Sequence, residues 1–127
     1  MRQYSEWETM KRVWDVEEIK DLMSRRAVYS ANEERERELK ELWVNQPDHM
    51  ATASFGRNYG YYVGMDAIRS YYVDSHQTRI DALSGTGYME CHTVTSPYVE
   101  LAGDGNSARG LWYSIGQETY PGPDGAP

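Results

Sequence analysis

Residues 88–118 read YMECHTVTSPYVELAGDGNSARGLWYSIGQE, and this stretch decides the fold class. It predicts two long antiparallel strands, at 88–102 and 107–118, joined by the Gly-Asp-Gly-Asn turn at 103–106. Pro97 has no N–H to donate to a strand ladder, so we expect a bulge or an edge position there. Such a kink helps a sheet to curl.

Three helices are predicted upstream of this hairpin. The first starts at Asp15, which forms a variant of the capping box with Glu18, and residues 1–12 form a loose arm or an extra helical turn. The second covers 32–43, and the third begins at 65 and ends at 76 or 77. Apolar residues recur at helical spacing on the first helix and predict its core face: Val16, Ile19, Leu22, Met23 and Ala27.

A short hairpin is predicted between the second and third helices, with strands at 50–55 and 59–63 around a turn at 56–58. The order helix, helix, hairpin, helix, long strands is typical of an α+β domain with its helices on one face of a bent antiparallel sheet. The length of 127 residues fits one domain, at 1–127, with a core of its own.

The charge pattern excludes some classes of partner. A net charge of −7 argues against nucleic acid, whose phosphates need a basic surface. The run 33–38 alternates Glu and Arg and predicts a solvated helix face, with Glu33 and Arg37 as an i,i+4 pair. We find no signal peptide and no apolar run near the ~20 residues of a membrane helix. The single Cys91 cannot form an internal disulfide and fits a reducing compartment, so we expect a cytoplasmic protein and no membrane partner.

The histidines predict neither a nucleophile pair nor a metal site. Cys91 and His92 are neighbours on a strand, so their side chains point to opposite faces. His49 follows a turn and is expected to be exposed, whereas His76 is expected at a helix C-terminus, where it complements the helix dipole. The three histidines lack His-x-His or His-x₃-His spacing, and we therefore predict no metal and no cofactor.

Three segments resemble the SnoaL-like branch of the nuclear-transport-factor-two superfamily. Residues 15–22 (DVEEIKDL) are similar to its opening helix, 92–104 (HTVTSPYVELAGD) to its His-bearing strand, and 108–113 (ARGLWY) to the next strand. The resemblance implies a cystatin-like cone, in which three N-terminal helices wrap a strongly curved sheet, and a homodimer through that sheet. Members include ketosteroid isomerases, dehydratases, polyketide cyclases and non-catalytic binding proteins, so the fold does not give the activity.

The dehydratases of this family carry a Tyr on the first helix, an Asp shortly after it and a His at the start of the long strand. His92 matches that His. The Tyr position falls on Arg26, or on Tyr29 after a shift of one turn, and the Asp position falls on Ala31 or Ser30. The resemblance therefore implies His92 as the catalytic residue without its usual acid.

Other family acids are not matched either. The base of the isomerases would lie near Phe55, and an acid that some dehydratases carry on the following strand would lie near Gly116. Scytalone dehydratase has a second histidine on a strand, and its position falls near Trp112.

Family members also have two more long strands after residue 118, so we expect a missing C-terminal segment or a sheet completed by another chain.

We predict that His92 removes a proton α to a carbonyl, since imidazole has the side-chain pKa nearest neutrality. Tyr29, Tyr72 or Arg26 would donate to the enolate oxygen, and an Arg in the pocket would favour a carboxylate or phenolate ligand. Together with Trp112 and the other aromatic residues, these side chains predict a flat, largely apolar ligand. Alternatively, the aromatics only fill the interior, and His92 is a hydrogen-bonded strand residue.

Two functions remain open on the sequence. The first is a cofactor-free lyase or isomerase that acts on a small hydrophobic carbonyl compound. The second is a non-catalytic ligand-binding or dimerisation module, whose pocket would be shallow or filled by Trp and Tyr.

Overall fold

The computed structural model of the chain describes residues 3–83, 87–122 and 124. In chain order the elements are α1 (Glu6–Ala31), α2 (Arg35–Leu42), α3 (Pro47–Met50), β1 (Ser54–Arg57), β2 (Gly60–Val63), α4 (Met65–Arg69), a π-helical turn (Ser70–Ser75), α5 (His76–Leu83), β3 (Met89–Leu101) and β4 (Ala108–Thr119). The α+β class is confirmed. No described helix combines the length and the apolarity needed to cross a bilayer.

The first helix begins at Glu6, so the predicted start at Asp15 was wrong. Ser5 caps it: the Ser5 hydroxyl accepts from the Glu8 backbone N–H at 3.2 Å, and the Glu8 carboxylate accepts from the Ser5 N–H at 2.8 Å. This is a complete capping box. Asp15 lies inside the helix and pairs with Lys11 at 2.7 Å.

The long hairpin is confirmed. β3 and β4 pair antiparallel from Met89↔Thr119 to Leu101↔Ala108, and the register shifts between Thr95 and Tyr98, where Pro97 was predicted to produce a bulge. Ser96 in this bulge has φ 51°, in the left-handed region that favours glycine. The bulge separates the part of β3 that packs beside α1 from the part that carries His92.

The short hairpin is shorter than predicted. β1 and β2 pair from Ser54↔Val63 to Arg57↔Gly60, whereas residues 50–53 belong to a helical turn and the link after it. Among the described strands, β1–β2 and β3–β4 form two separate two-stranded sheets. A single cone-shaped sheet with three helices on it stays a prediction.

The third helical segment runs further than predicted. It does not end near His76: α4 passes through the π-helical turn into α5, which ends at Leu83. In the π-turn the Ser75 hydroxyl donates to the Ser70 carbonyl five residues earlier, at 3.1 Å. Single π-turns inside helices are frequent at functional sites. This one precedes His76, which therefore lies within a helical segment instead of at its C-terminus.

The buried core lies between α2, the short hairpin and α4. Leu39, Ile68 and Tyr72 are buried, and Trp43 and Phe55 pack against them. Edge-to-face contacts fix these rings, with the centroids of Phe55 and Tyr72 5.5 Å apart. The predicted core face of α1 is only half-buried.

The β3–β4 hairpin has two different faces, because paired residues of a ladder share a face. Glu90 and His92 lie on the inner face together with Gly116, which pairs with His92. The outer face carries large apolar side chains that are between 58% and 67% exposed: Tyr98, Leu111, Tyr113 and Ile115. This outer face is uncovered in the part of the chain that the structure describes.

Candidate functional site

A cleft of about 180 Å³ lies between the helical segment 65–83, the short hairpin and the inner face of β3–β4. Its walls combine charged and aromatic side chains: Arg35, Phe55, Arg57, Tyr71, Tyr72, Ser75, His76, Arg79, Glu90, His92 and Glu118. His92 and Tyr72 are the two predicted site residues that line it.

His92 has a carboxylate partner. Its Nδ1 lies 3.3 Å from Glu90 Oε1, and both side chains lie on the inner face of β3, two residues apart. Glu90 does not lie at any position of the usual family acid, so the absence of that acid stays a prediction, but His92 does have another carboxylate beside it. The two-residue period of a strand, which places Glu90 beside His92, was the sequence signal for this pair. The His92 side chain is 37% exposed, so it lies at the open side of the cleft.

Glu90 is buried and held in its charged form. Burial alone would raise the pKa of the Glu90 carboxyl, but a hydrogen bond from the Tyr88 hydroxyl at 2.9 Å and the charge of Arg35 lower that pKa below its ordinary value. Arg35 Nη2 donates to Glu90 Oε1 at 3.0 Å. A carboxylate so placed orients the imidazole of His92 and stabilises it when it takes up a proton.

A second buried network lies behind the cleft. Glu38 is fully buried, and the Tyr72 hydroxyl donates to its carboxylate at 2.8 Å. Arg26 Nε lies 3.3 Å from Glu38 Oε1, and Arg35 Nη1 donates to the Tyr72 oxygen at 2.8 Å. Burial, the largest effect, and the nearby Glu38 charge raise the pKa of Tyr72 to about 12, although Arg26 acts against them.

The run 33–38 is therefore not a solvated face, and that prediction was wrong. Arg35, Glu38 and Leu39 share one side of α2 at helical spacing, and this side is buried. Arg35 Nε is a buried side-chain nitrogen without a hydrogen-bond partner among the described residues. The Glu33 carboxylate oxygen Oε2 lies 4.0 Å from this nitrogen.

His76 lines the cleft, in contrast to the surface position that was predicted. Its Nε2 lies 2.6 Å from Glu33 Oε2, and its side chain is largely buried. The prediction failed because the helix continues past residue 76. His49 is exposed, as predicted.

Three predicted binding residues lie outside the cleft lining. Tyr29 is buried between α1 and α2, where its hydroxyl donates to Glu41 at 2.7 Å. Arg26 Nη2 donates to the Tyr72 hydroxyl oxygen at 3.5 Å. The Trp112 ring folds over the α-carbon of Gly110 on its own strand. Their roles in ligand binding stay predictions.

The fold brings together potential metal ligands that lie far apart in the sequence. Glu33, His76 and Glu90 form one set whose ligand atoms lie within 4.8 Å of one another, and Glu90, His92 and Glu118 form another. Each set could hold a metal ion with three ligands. The Arg35 guanidinium beside Glu90, however, opposes a second cation. The predicted absence of a metal stays a prediction.

A larger groove of about 490 Å³ lies between α1 and the turn of the long hairpin. Asp15, Glu18 and Asp21 line it together with Arg25 and with polar and apolar residues, and its described lining contains no histidine. We therefore consider the smaller cleft around His92 the candidate site.

The comparisons with known proteins agree with the resemblance seen in the sequence. A family model described as SnoaL-like domain matches residues 11–127, and the chain therefore belongs to the SnoaL-like domain family of the nuclear-transport-factor-two-like superfamily. No curated protein and no solved structure matches the chain. A small-molecule pocket is the property that this family assignment supports.

Proposed function

We propose that this SnoaL-like domain is a cofactor-free lyase or isomerase that removes a proton α to the carbonyl of a small hydrophobic compound. The observation that carries the proposal is the pair of His92 and Glu90 on the inner face of β3, with 3.3 Å between Nδ1 and Oε1. Glu90 holds the Nδ1 side of the ring, so Nε2 is the nitrogen that faces a substrate.

The chemistry follows from this arrangement. His92 Nε2 takes the α-proton, and the electron pair of the broken C–H bond moves to the carbonyl oxygen as an enolate. The enolate then either expels a β-hydroxyl group, which leaves as water with the proton from His92, or takes the proton back at another carbon and shifts the double bond. The first course is a lyase reaction, and the second an isomerase reaction.

The enolate oxygen needs a hydrogen-bond donor. The hydroxyl proton of Tyr72 already goes to Glu38, and that of Tyr29 to Glu41, so neither predicted donor is available without rearrangement. Arg35 lines the cleft, and its guanidinium has five N–H donors, of which the bonds to Tyr72 and Glu90 use two. We therefore assign the role of donor to Arg35.

Proton exchange tests the proposal without knowledge of the full reaction. A panel of small aryl ketones in D₂O is followed by NMR, and the wild-type protein should accelerate deuterium uptake at the α-carbon of at least one compound. H92A should reduce this rate to background, whereas H49A, which removes an exposed histidine, should leave it unchanged. Exchange that persists in H92A would place the base elsewhere.

A non-catalytic ligand-binding module is the second candidate. The small volume of the cleft and the exposure of His92 favour it, since a proton abstraction is most effective in a site that excludes water. Saturable binding of a panel compound without any α-exchange would establish this alternative.

The cytoplasmic location inferred from Cys91 also stays a prediction.

We also propose that the domain forms a homodimer through the outer face of the β3–β4 hairpin. Four large apolar side chains stand exposed there in a row, which is typical of a protein interface and not of a solvated sheet.

A further inference from the structure

Arg57 differs from the other arginines of the cleft in its partners. It ends β1 and lines the cleft, and among the described residues no carboxylate oxygen pairs with its guanidinium. The other two arginines of the lining are paired, Arg35 with Glu90 at 3.0 Å and Arg79 with Glu118 at 3.3 Å. The guanidinium of Arg57 also interacts with the Tyr59 hydroxyl, but its charge is left without a described counter-charge and can pair with a carboxylate from outside the chain.

Aromatic rings hold this guanidinium at the cleft. Its central carbon lies 5.8 Å from the centroid of the Tyr71 ring and 6.0 Å from that of Phe55, within the range of cation–π contacts. The hydroxyls of Tyr59 and Tyr71 lie 3.0 Å apart beside it. The hydrogen bond with Tyr71, together with Arg57, lowers the pKa of Tyr59, whereas burial and the same hydrogen bond raise the pKa of Tyr71. These contacts hold the guanidinium beside two rings and two hydroxyl oxygens at the cleft.

The cleft as a whole has the opposite charge to the chain. Three guanidinium groups and two carboxylates line it, which leaves one net positive charge while both imidazoles are neutral. The chain carries a net charge of −7. Since the two carboxylates are already paired with arginines, the excess positive charge lies at Arg57.

The size and walls of the cleft limit the rest of the ligand. A volume of about 180 Å³ is below the 300–1,000 Å³ typical of drug-sized ligands, which points to a molecule of one ring. Phe55 and Tyr71 supply flat apolar walls next to the charged groups.

We infer that the ligand is a single-ring compound that carries a carboxylate, and that Arg57 binds this carboxylate. A guanidinium presents two parallel N–H donors that match the two oxygens of a carboxylate. The inference rests on the cleft of the proposed function and adds the class of its ligand.

Benzoate and benzamide test the inference because they have nearly the same shape and differ in charge. Each is titrated into the isotope-labelled full chain, and the dissociation constant is taken from the backbone amide shifts of cleft residues. Wild-type protein should bind benzoate about tenfold more tightly than benzamide, and added salt should reduce the difference.

R57Q and R25Q form a matched pair, since each removes one positive charge from an exposed arginine. Arg25 lies on α1 and pairs with Asp21 at 3.0 Å, away from the cleft and from the outer face of β3–β4. R57Q should weaken benzoate binding about tenfold and change benzamide binding by less than about twofold. R25Q should change neither, and circular dichroism checks that both variants are folded.

Two negative outcomes have different meanings. If both compounds bind with equal affinity and R57Q binds benzoate as well as the wild type does, Arg57 is not the carboxylate receptor, while the cleft of the proposed function survives. If neither compound shifts the cleft residues of the wild type, the ligand class is wrong, and the exchange assay with aryl ketones decides separately whether the proposed function holds.

Discussion

The imidazole of His92 lies against the α-carbon of Gly116, its partner in the β3–β4 ladder. A β-carbon at position 116 would come within 2.7 Å of His92 Nε2 and 2.8 Å of Cδ2, closer than real side-chain contacts allow. Glycine at 116 therefore leaves the room in which the ring can stay beside Glu90.

We expect G116A to displace the His92 ring and leave the fold intact. The ring is partly exposed and can turn toward solvent, so the free energy of unfolding should change by less than about 1 kcal/mol. The rate of α-proton exchange should fall at least about tenfold, because a small misplacement of a catalytic group is costly. Urea unfolding and the exchange assay measure the two effects.

G103A is the matched control, since a β-carbon at Gly103 meets no atom within 4 Å. It should change neither the free energy of unfolding nor the exchange rate. A G116A protein that exchanges protons at the wild-type rate would show that the position of His92 over Gly116 is not needed.

The parts of the fold that were predicted correctly depend on local sequence. The turn at 103–106 and Pro97 lie within the long hairpin, and they were enough to predict its strands and its bulge. The true start of α1 was also encoded locally, since Ser5 and Glu8 have the spacing of a capping box. The pair at Asp15 and Glu18 has the same spacing, so local sequence offered two possible starts.

The buried charges could not be predicted in the same way. Arg35 bonds to Tyr72 and Glu90, which lie 37 and 55 residues further along the chain, and Glu38 bonds to Tyr72, 34 residues away. A run of Glu and Arg on a helix has the same local pattern whether it faces water or distant partners. Only the tertiary fold distinguishes the two cases.

Glu38 gives a direct test of this buried network. E38Q removes the charge that pairs with Arg26 and forces an amide into a site built for an acceptor, so it should lower the free energy of unfolding by about 3 kcal/mol. E36Q makes the same substitution on the exposed side of α2, where it breaks the surface pair with Arg69, and it should cost less than about 1 kcal/mol. Equal losses in the two variants, measured by urea unfolding, would contradict the burial of Glu38.

Glu90 predicts an acid-dependent loss of stability. Its pKa in the folded protein is lower than the ordinary value of 4.5, so its contribution is fully present above that pH and is lost as the pH falls through the folded pKa. The difference in free energy of unfolding between wild type and E90Q should be constant near neutral pH and shrink below about pH 4.5. A difference that does not vary between neutral and acid pH would rule out the lowered pKa.

Tyr72 should lose its hydroxyl proton at a higher pH than an ordinary tyrosine. Burial and Glu38 raise the pKa of its hydroxyl to about 12, so the absorbance change of tyrosinate formation should include a step near that pH. The pKa of Tyr88 is also raised, by burial and by its bond to Glu90, and the Tyr72 step is therefore measured as the difference between wild type and Y72F. Y61F, which removes an exposed hydroxyl, should leave that step in place.

The outer face of the β3–β4 hairpin predicts self-association that a single charge can disrupt. Ile115 lies within the row of exposed apolar side chains, and burial of a lysine ammonium without a partner is strongly unfavourable. Sedimentation velocity should therefore give a dimer for the wild type and a monomer for I115K. S107K, in the exposed turn between the strands, adds the same charge away from this row and should remain dimeric. A wild-type protein that sediments as a monomer at all concentrations, or an I115K variant that stays dimeric, would show that the outer face does not join two copies.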